Sequence, residues 1–286
     1  MKKLIFIVII SIFFKINGFG QVDKIDTIAA QYSWPEWWFG TVDVLQLESK
    51  YVDETYDISI YLPPSYYHTQ KIYPVLVMTD AFYTFGIAHN SADLLTSARE
   101  LPEIIIIGIG FKGKNMVDYI KKRARDFTHS KITGFSTSGG AENFYKFISK
   151  ELIPGMANKY RIDSNDKALC GNSFGGQFAA YVLLEHTDFF CRYIIGSPSY
   201  YYDINLIQTI KIRIGELKNE KLTVYTFVGE KETGLIELWN EFNNVIINNQ
   251  TDNFRFMHHI VQGKSHSSVF LSEFSTALEW IYNQEK

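Results

Sequence analysis

The chain has 286 residues, a formal net charge of −3 and two cysteines, Cys170 and Cys191. This length suits one large α/β domain with a buried core, and no low-complexity linker divides it. The small acidic excess argues against a nucleic-acid partner. Two cysteines cannot form the disulfide framework of a small secreted domain, and we expect two buried thiols rather than a bridge.

The first twenty residues have the pattern of a signal peptide. Two lysines precede an apolar run over residues 4–14, and the small residues Gly18 and Gly20 precede Gln21. We therefore expect cleavage near Gly20, export to the periplasm or the medium, and a single domain over residues 21–286. An uncleaved N-terminal anchor is the alternative.

Cleavage would remove three lysines and no acidic residue, which leaves 25 basic against 31 acidic residues and a net charge of about −6. The apolar run is too short for a typical membrane span, so no stable membrane insertion is expected after cleavage.

Hydrophobic patterning predicts the sheet in chain order. Alternating residues predict two antiparallel leading strands at 42–47 and 56–62. Continuous apolar runs predict buried strands at 74–78, 103–110, 167–170 and 193–196, and two further strands are predicted at 222–228 and 254–261. Helical patterns between them, with helices at 142–156 and 270–282 and a loop-rich stretch at 111–141, predict a doubly wound, mainly parallel sheet.

Gly171-Asn172-Ser173-Phe174-Gly175 has the G-x-S-x-G pattern of a nucleophile elbow between a strand and a helix. A serine on such a turn has a strained backbone, and flanking glycines avoid collisions with the neighbouring strand and helix. The following helix N-terminus favours developing negative charge, and the N–H of Phe174 is a natural oxyanion donor. The alternative is a glycine-rich turn with an idle serine.

A serine nucleophile needs a base, and His266 is the best candidate among seven histidines. It follows the last predicted strand in a loop rich in glycine and serine, where a hydrolase of this type places its histidine. His258 and His259 are adjacent in a strand and point to opposite faces, so they cannot bind one metal together. No metal-ligand spacing stands out.

The acid that would orient the histidine is expected after the strand at 222–228, where Glu230 and Glu232 share one loop. Glu232 is preferred because it is one turn beyond the strand end and has room to reach an imidazole nitrogen. Glu237 is a third candidate, and a Ser–His pair with no strong acid is a fourth.

From about residue 44 to its end, the chain resembles the putative-esterase family of α/β hydrolases. That family includes enterochelin and other siderophore esterases, esterase D, feruloyl esterases and mycolyltransferases. The similarity is carried by the blocks Y-L-P-P-S-Y, Y-P-V-L-V-M-T-D-A, R-A-R-D-F-T, F-I-S-K-E-L-I-P, G-N-S-F-G-G-Q-F-A-A-Y, G-S-P-S-Y-Y-Y-D, V-G-E-K-E and the late histidine.

The resemblance implies an α/β-hydrolase fold and a hydrolase without a cofactor. It implies Ser173 as nucleophile, His266 as general base and Glu232 as acid, with an oxyanion hole formed by the N–H groups of Phe174 and Phe82. The chain has Ala81 where such families usually have the glycine of an aspartate-glycine pair.

The substrate is the least defined part of the prediction. Tyr200, Tyr201 and Trp239 could line an aromatic-friendly pocket, and Arg125 or Arg123 could bind an anionic group, but each of them could equally be structural. We expect an exported serine esterase that acts on a small-molecule or glycan ester, either a siderophore or a polysaccharide-linked acyl or feruloyl ester. An acyltransferase with the same triad and a non-catalytic ligand-binding protein are the alternatives.

Overall fold

A computed structural model describes residues 40–111, 113, 115–203, 206–209, 213, 221–249 and 252–283. The predicted signal peptide and its cleavage site at Gly20 lie outside these residues. Within the described part of the chain, no helix is both long and apolar enough to cross a membrane.

Within the described residues, eight strands form one sheet in the order β1-β2-β4-β3-β5-β6-β7-β8. The first two pairings, β1 with β2 and β2 with β4, are antiparallel, and all the others are parallel. The predicted fold class is confirmed. The strands are β1 Thr41–Ser49, β2 Glu54–Leu62, β3 Tyr73–Met78, β4 Ile105–Phe111, β5 Ile162–Asn172, β6 Arg192–Gly196, β7 Leu222–Gly229 and β8 Phe254–Val261.

The strand predictions hold because burial follows the sequence pattern. Every residue of β4 and of β6 is buried, as expected for apolar runs covered on both faces. The exposed and half-buried residues of β1 alternate, as expected for an edge strand with one solvated face.

Helices cover both faces of the sheet and bury a separate apolar cluster on each. One cluster includes Phe85 and Phe274, from the helices after β3 and β8, and the other includes Phe127, Phe178 and Trp239. The α-helices whose bounds the structure describes are α1 Ala81–Ser97, α2 Met116–Phe127, α3 Ala141–Lys146, α4 Ile153–Lys159, α5 Phe174–Glu185, α6 Thr233–Ile247 and α7 Val269–Tyr282. A π-helical turn, Phe147–Leu152, joins α3 to α4.

The expectation of a loop-rich stretch at 111–141 is wrong over α2. Asn115 begins this helix by accepting a hydrogen bond from the N–H of Asp118 at 3.0 Å, which is a standard N-cap arrangement. Its buried face is narrow and includes Tyr119, Ala124 and Phe127, while charged residues occupy most of the remainder. Apolar and charged residues therefore separate onto two faces of the helix, and this period was a signal in the sequence that the prediction missed.

Both cysteines are free thiols. Cys170 is buried, as expected, whereas the expectation that Cys191 is buried is wrong. Cys191 is only partly buried, because it lies just before β6 rather than inside it.

The parallel strands β3, β5, β6, β7 and β8 all end at the same edge of the sheet. In open α/β sheets this edge carries the ligand site. The residues that follow these strand ends include Asp80, Ser173, Ser197, Glu232 and His266.

Candidate active site

Ser173 lies on a sharp turn between β5 and α5. Its backbone has φ 62° and ψ −123°, a conformation that residues other than glycine rarely adopt and that is typical of strained functional positions. A Cβ atom on Gly171 would overlap the carbonyl of Gly175, and one on Gly175 would overlap the hydroxyl of Thr79. Glycine is therefore required on both sides of this serine.

Two loops bring a histidine and a glutamate to Ser173. The Nε2 atom of His266 lies 3.0 Å from the Ser173 Oγ, and its Nδ1 atom lies 2.5 Å from the Glu232 Oε2. His266 comes from the loop between β8 and α7, and Glu232 from the loop between β7 and α6. A serine, an imidazole and a carboxylate in this order can remove the serine proton and stabilise the resulting imidazolium.

The carboxylate of Glu232 is nearly inaccessible and fully hydrogen-bonded. Its side chain is 6% exposed, and its Oε1 accepts hydrogen bonds of 2.7 Å from the Ser197 hydroxyl and from the Gly229 N–H. Burial alone would raise the pKa of Glu232, but the hydrogen bonds from His266, Ser197 and Gly229 outweigh it, and the pKa lies below its ordinary value. Glu232 is therefore held as a carboxylate.

Glu230 has a different partner. Its Oε2 accepts a hydrogen bond from the N–H of Gly263 at 2.7 Å, which joins the loop after β7 to the loop after β8. Of the two glutamates in this loop, the structure brings Glu232 to His266.

Phe174 is the first residue of α5, and its N–H therefore has no hydrogen-bond acceptor within the helix. Phe82 is the second residue of α1, four residues after the end of β3. The turn before it contacts the elbow closely, since a Cβ atom on Gly175 would meet both Thr79 and Asp80. Both amides therefore belong to helix N-termini beside Ser173, and their role as oxyanion donors stays a prediction.

Asp80 anchors the start of α1 through a buried ion pair. It has φ 57°, in the left-handed region, and its two carboxylate oxygens each accept a hydrogen bond of 2.8 Å from Arg123. The Tyr119 hydroxyl donates a third, at 2.7 Å. The Arg123 guanidinium also lies over the Phe174 ring, 5.4 Å from its centroid. Arg123 thus joins α2 to both helix N-termini beside the elbow.

A cleft of about 560 Å³ opens beside His266 and Glu232, and its lining includes Tyr201, Lys231 and Leu235. This volume is in the range of small-molecule sites. Tyr201 is 53% exposed and is the one predicted aromatic residue that reaches this cleft.

The other predicted substrate contacts require correction. Tyr200 and Trp239 are completely buried, because Tyr200 packs against Phe242 and the Trp239 indole donates to the Thr226 hydroxyl at 2.8 Å. They belong to the core beneath the site rather than to its wall.

Arg125 is likewise engaged elsewhere. Its guanidinium binds the fully buried Asp126 through hydrogen bonds of 2.6 and 3.0 Å, and it bonds Glu54 at 3.2 Å. Arg125 therefore links α2 to β2, and its guanidinium is engaged by these two carboxylates rather than facing an anionic substrate.

The described residues contain no group of three or more His, Cys, Asp or Glu side chains that could hold a metal ion.

Comparison with known proteins identifies the chain's relatives. The family profile described as "Putative esterase" matches residues 49–278. The chain belongs to the Putative esterase family. It is 30% identical over 206 residues to the ferri-bacillibactin esterase BesA of Bacillus subtilis (strain 168). The aligned region covers 66% of this chain and 70% of BesA.

Solved structures of similar proteins share the fold. The BES protein from Bacillus cereus superposes with a TM-score of 0.75 at 25% identity, over 85% of this chain and 95% of that one. An IroE-like serine hydrolase from Shewanella oneidensis superposes with a TM-score of 0.76 at 21% identity, over 85% and 80% of the two chains. As a member of the Putative esterase family, the chain is a serine ester hydrolase.

Two serines of this family member were not singled out from the sequence. Ser197 bonds Glu232, and the Ser199 Oγ lies 3.3 Å from the Ser173 Oγ. Both belong to the G-S-P-S block after β6. The sequence did contain a signal for them, because they are small polar residues at the end of β6, the strand beside β5.

Proposed function

We propose that this chain hydrolyses a siderophore ester with Ser173 as nucleophile, His266 as general base and Glu232 as the orienting acid. The observation that carries the proposal is the continuous hydrogen-bonded chain from the Ser173 Oγ through His266 to Glu232. The three side chains come from three separate loops, so no local turn or helix accounts for their meeting.

The first chemical step is acylation. The Ser173 hydroxyl loses its proton to the Nε2 of His266 as its Oγ attacks the ester carbonyl carbon. The carbonyl π electrons move to the oxygen, which becomes an oxyanion. His266 then gives the proton to the departing alcohol, and an acyl-serine remains.

The second step is hydrolysis of that acyl-serine. A water molecule gives a proton to His266 and attacks the acyl carbon, and the Ser173 Oγ leaves with the proton from the imidazolium. The N–H groups of Phe174 and Phe82 are proposed to hold the oxyanion in both steps. Loss of one such donor typically lowers turnover by about a hundred- to a thousandfold. Neither step requires a cofactor.

The proposed substrate class rests on the relatives. BesA of Bacillus subtilis is named an esterase of ferri-bacillibactin, and an apo-salmochelin esterase of Escherichia coli O6:H1 also matches part of the chain. We take the substrate to enter the cleft beside His266, with Tyr201 on its wall. We further propose that the pattern of residues 1–20 directs export, which would place the enzyme outside the cytoplasm.

The test is hydrolysis of an ester panel by the chain beginning at Gln21. The panel contains p-nitrophenyl acetate, p-nitrophenyl butyrate, a feruloyl ester, an acetylated xylan oligosaccharide and a catecholate siderophore. Ser173→Ala and His266→Ala are measured beside the parent. The matched control is His68→Ala, because His68 is exposed and distant in sequence from Ser173 and His266.

The proposal expects hydrolysis of the siderophore, loss of that activity in Ser173→Ala and His266→Ala, and its retention in His68→Ala. Preference for the feruloyl or xylan ester would overturn the substrate class and leave the mechanism. A turnover that rises with added alcohol and yields a new ester would indicate an acyltransferase. Hydrolysis that survives Ser173→Ala would overturn the mechanism.

A further inference from the structure

The turn after β6 places two buried serine hydroxyls at opposite ends of the proposed catalytic chain. Ser197 is 0% exposed and Ser199 is 1% exposed. The Ser197 hydroxyl donates to the Glu232 Oε1 at 2.7 Å, and the Ser199 Oγ lies 3.3 Å from the Ser173 Oγ. One three-residue turn therefore contacts both the acid and the nucleophile.

The direction of the Ser199 contact follows from the number of protons available. The Ser173 hydroxyl has one proton, and it must point to the His266 Nε2 for base catalysis. When its proton points to His266, the Ser173 Oγ can take part in a hydrogen bond with Ser199 only as the acceptor. The Ser199 hydroxyl thereby favours the rotation of the Ser173 proton that aims it at the histidine.

The Ser197 contact fixes which oxygen of Glu232 faces the histidine. A carboxylate only accepts hydrogen bonds, and the Oε1 atom receives two of them, from Ser197 and from the Gly229 N–H. The Oε2 atom remains for the Nδ1 of His266. Hydrogen bonds to an ionised group are stronger than neutral ones, so the Ser197 contact resists rotation of the carboxylate.

The backbone of the turn is itself anchored at both ends. The Ser197 N–H donates to the Phe227 carbonyl at 2.8 Å, and the Ser199 N–H donates to the Ser173 carbonyl at 3.2 Å. Pro198, between them, has a restricted φ. Ser197 has φ 37°, in the region that glycine adopts without a steric penalty. A serine there retains a strained backbone together with its hydroxyl.

We propose that Ser197 and Ser199 are positioning residues for the esterase reaction, Ser197 acting through Glu232 and Ser199 acting through Ser173. The inference rests on the proposed catalytic roles of those two residues. It predicts an effect on kcat rather than on KM, because neither hydroxyl lies on the surface of the cleft.

The experiment compares Ser197→Ala, Ser197→Gly and Ser199→Ala with the parent on the best ester of the panel. Each preparation is titrated to completion with a fluorophosphonate, so that kcat is expressed per reactive serine and misfolded protein is not counted. Ser149→Ala is the matched control, because Ser149 is a buried serine in the π-helical turn between α3 and α4. Ser173→Ala is the inactive reference.

Ser197→Ala and Ser197→Gly are expected to lower kcat per reactive serine by about tenfold or more, as for loss of a hydrogen bond to a charged group. Ser199→Ala is expected to lower it about two- to tenfold, as for a neutral hydrogen bond. KM stays within about twofold of the parent value, and Ser149→Ala leaves kcat unchanged.

The two Ser197 variants separate the hydroxyl from the backbone strain. Glycine relieves the strain at φ 37° and alanine does not, so Ser197→Gly should have the higher thermal midpoint while both lose activity equally. If both variants keep kcat within twofold of the parent, the inference is wrong although the esterase function stands. If the parent hydrolyses no ester, the proposed function fails first, and the two results are distinct.

Discussion

The Nδ1 atom of His266 and the Oε2 atom of Glu232 lie 2.5 Å apart, on the side of the imidazole opposite to Ser173. Glu230, two residues earlier in the same loop, instead accepts the N–H of Gly263. Because the Oε1 atom of Glu232 is occupied by Ser197 and Gly229, the carboxylate has one oxygen directed at the ring. This geometry distinguishes the two glutamates that the sequence left open.

We expect Glu232→Gln to lower kcat by about a hundredfold or more, because an amide in this position can stabilise the wrong tautomer of the histidine and cannot balance its positive charge. The corresponding substitution in serine proteases costs about ten-thousandfold. Glu230→Gln is the matched control, in the same loop and with the same change of charge, and should retain kcat within about threefold. Steady-state kinetics on one ester measures both. A larger loss in Glu230→Gln would assign the acid to that residue.

The strands and the elbow were predictable because their signals are local. Apolar runs of four to eight residues report strands that are buried on both faces, and the glycines beside Ser173 report a turn whose neighbours leave no room for a Cβ atom. His266 was predictable from its order in the chain, since the loops after parallel strands converge at one edge.

The parts that could not be predicted depend on contacts between distant residues. Tyr200 and Tyr201 are adjacent and identical in type, yet one is fully buried and the other is 53% exposed. The buried Tyr200 packs against Phe242, a contact between residues far apart in the chain. Similarly, nothing local indicates that Arg123 bonds Asp80, 43 residues away, or that Ser197 bonds Glu232 across 35 residues.

We expect Arg123→Ala to lower the free energy of unfolding by about 3 kcal/mol, because it leaves Asp80 as a buried carboxylate without its cation. The side chains of Arg123 and Asp80 are 15% and 5% exposed. Lys121→Ala, an exposed residue on the same helix, is the control and should stay within about 0.5 kcal/mol of the parent. Urea denaturation gives both values. A loss below 1 kcal/mol for Arg123→Ala would show that the pair does not anchor α1.

The glycines provide a second matched pair. A Cβ atom on Gly175 would collide with the Thr79 hydroxyl, whereas one on Gly86, exposed on α1, would meet nothing within 4 Å. We expect Gly175→Ala to destabilise the fold and lower activity, since either the elbow or the buried Thr79 side chain must move to relieve the collision. Gly86→Ala should stabilise the protein by about 0.5 to 1 kcal/mol through helix propensity. Thermal unfolding and ester hydrolysis measure both variants, and a fully active Gly175→Ala enzyme would contradict the tight approach of the elbow to β3.

The lowered pKa of Glu232 predicts a specific pH dependence of stability. Hydrogen bonds from His266, Ser197 and the Gly229 N–H favour its ionised form in the folded state and more than offset its burial. A carboxyl whose folded pKa is depressed stabilises the fold fully above its unfolded pKa, and this contribution is lost as the pH falls through the folded pKa. The difference in free energy of unfolding between the parent and Glu232→Gln should therefore be largest above pH 4.5, the ordinary value of the group, and should shrink on further acidification. Urea titrations at a series of pH values measure this difference, in which the contributions of all other groups largely cancel. A difference that grows on acidification would mean that burial, and not hydrogen bonding, controls this carboxylate.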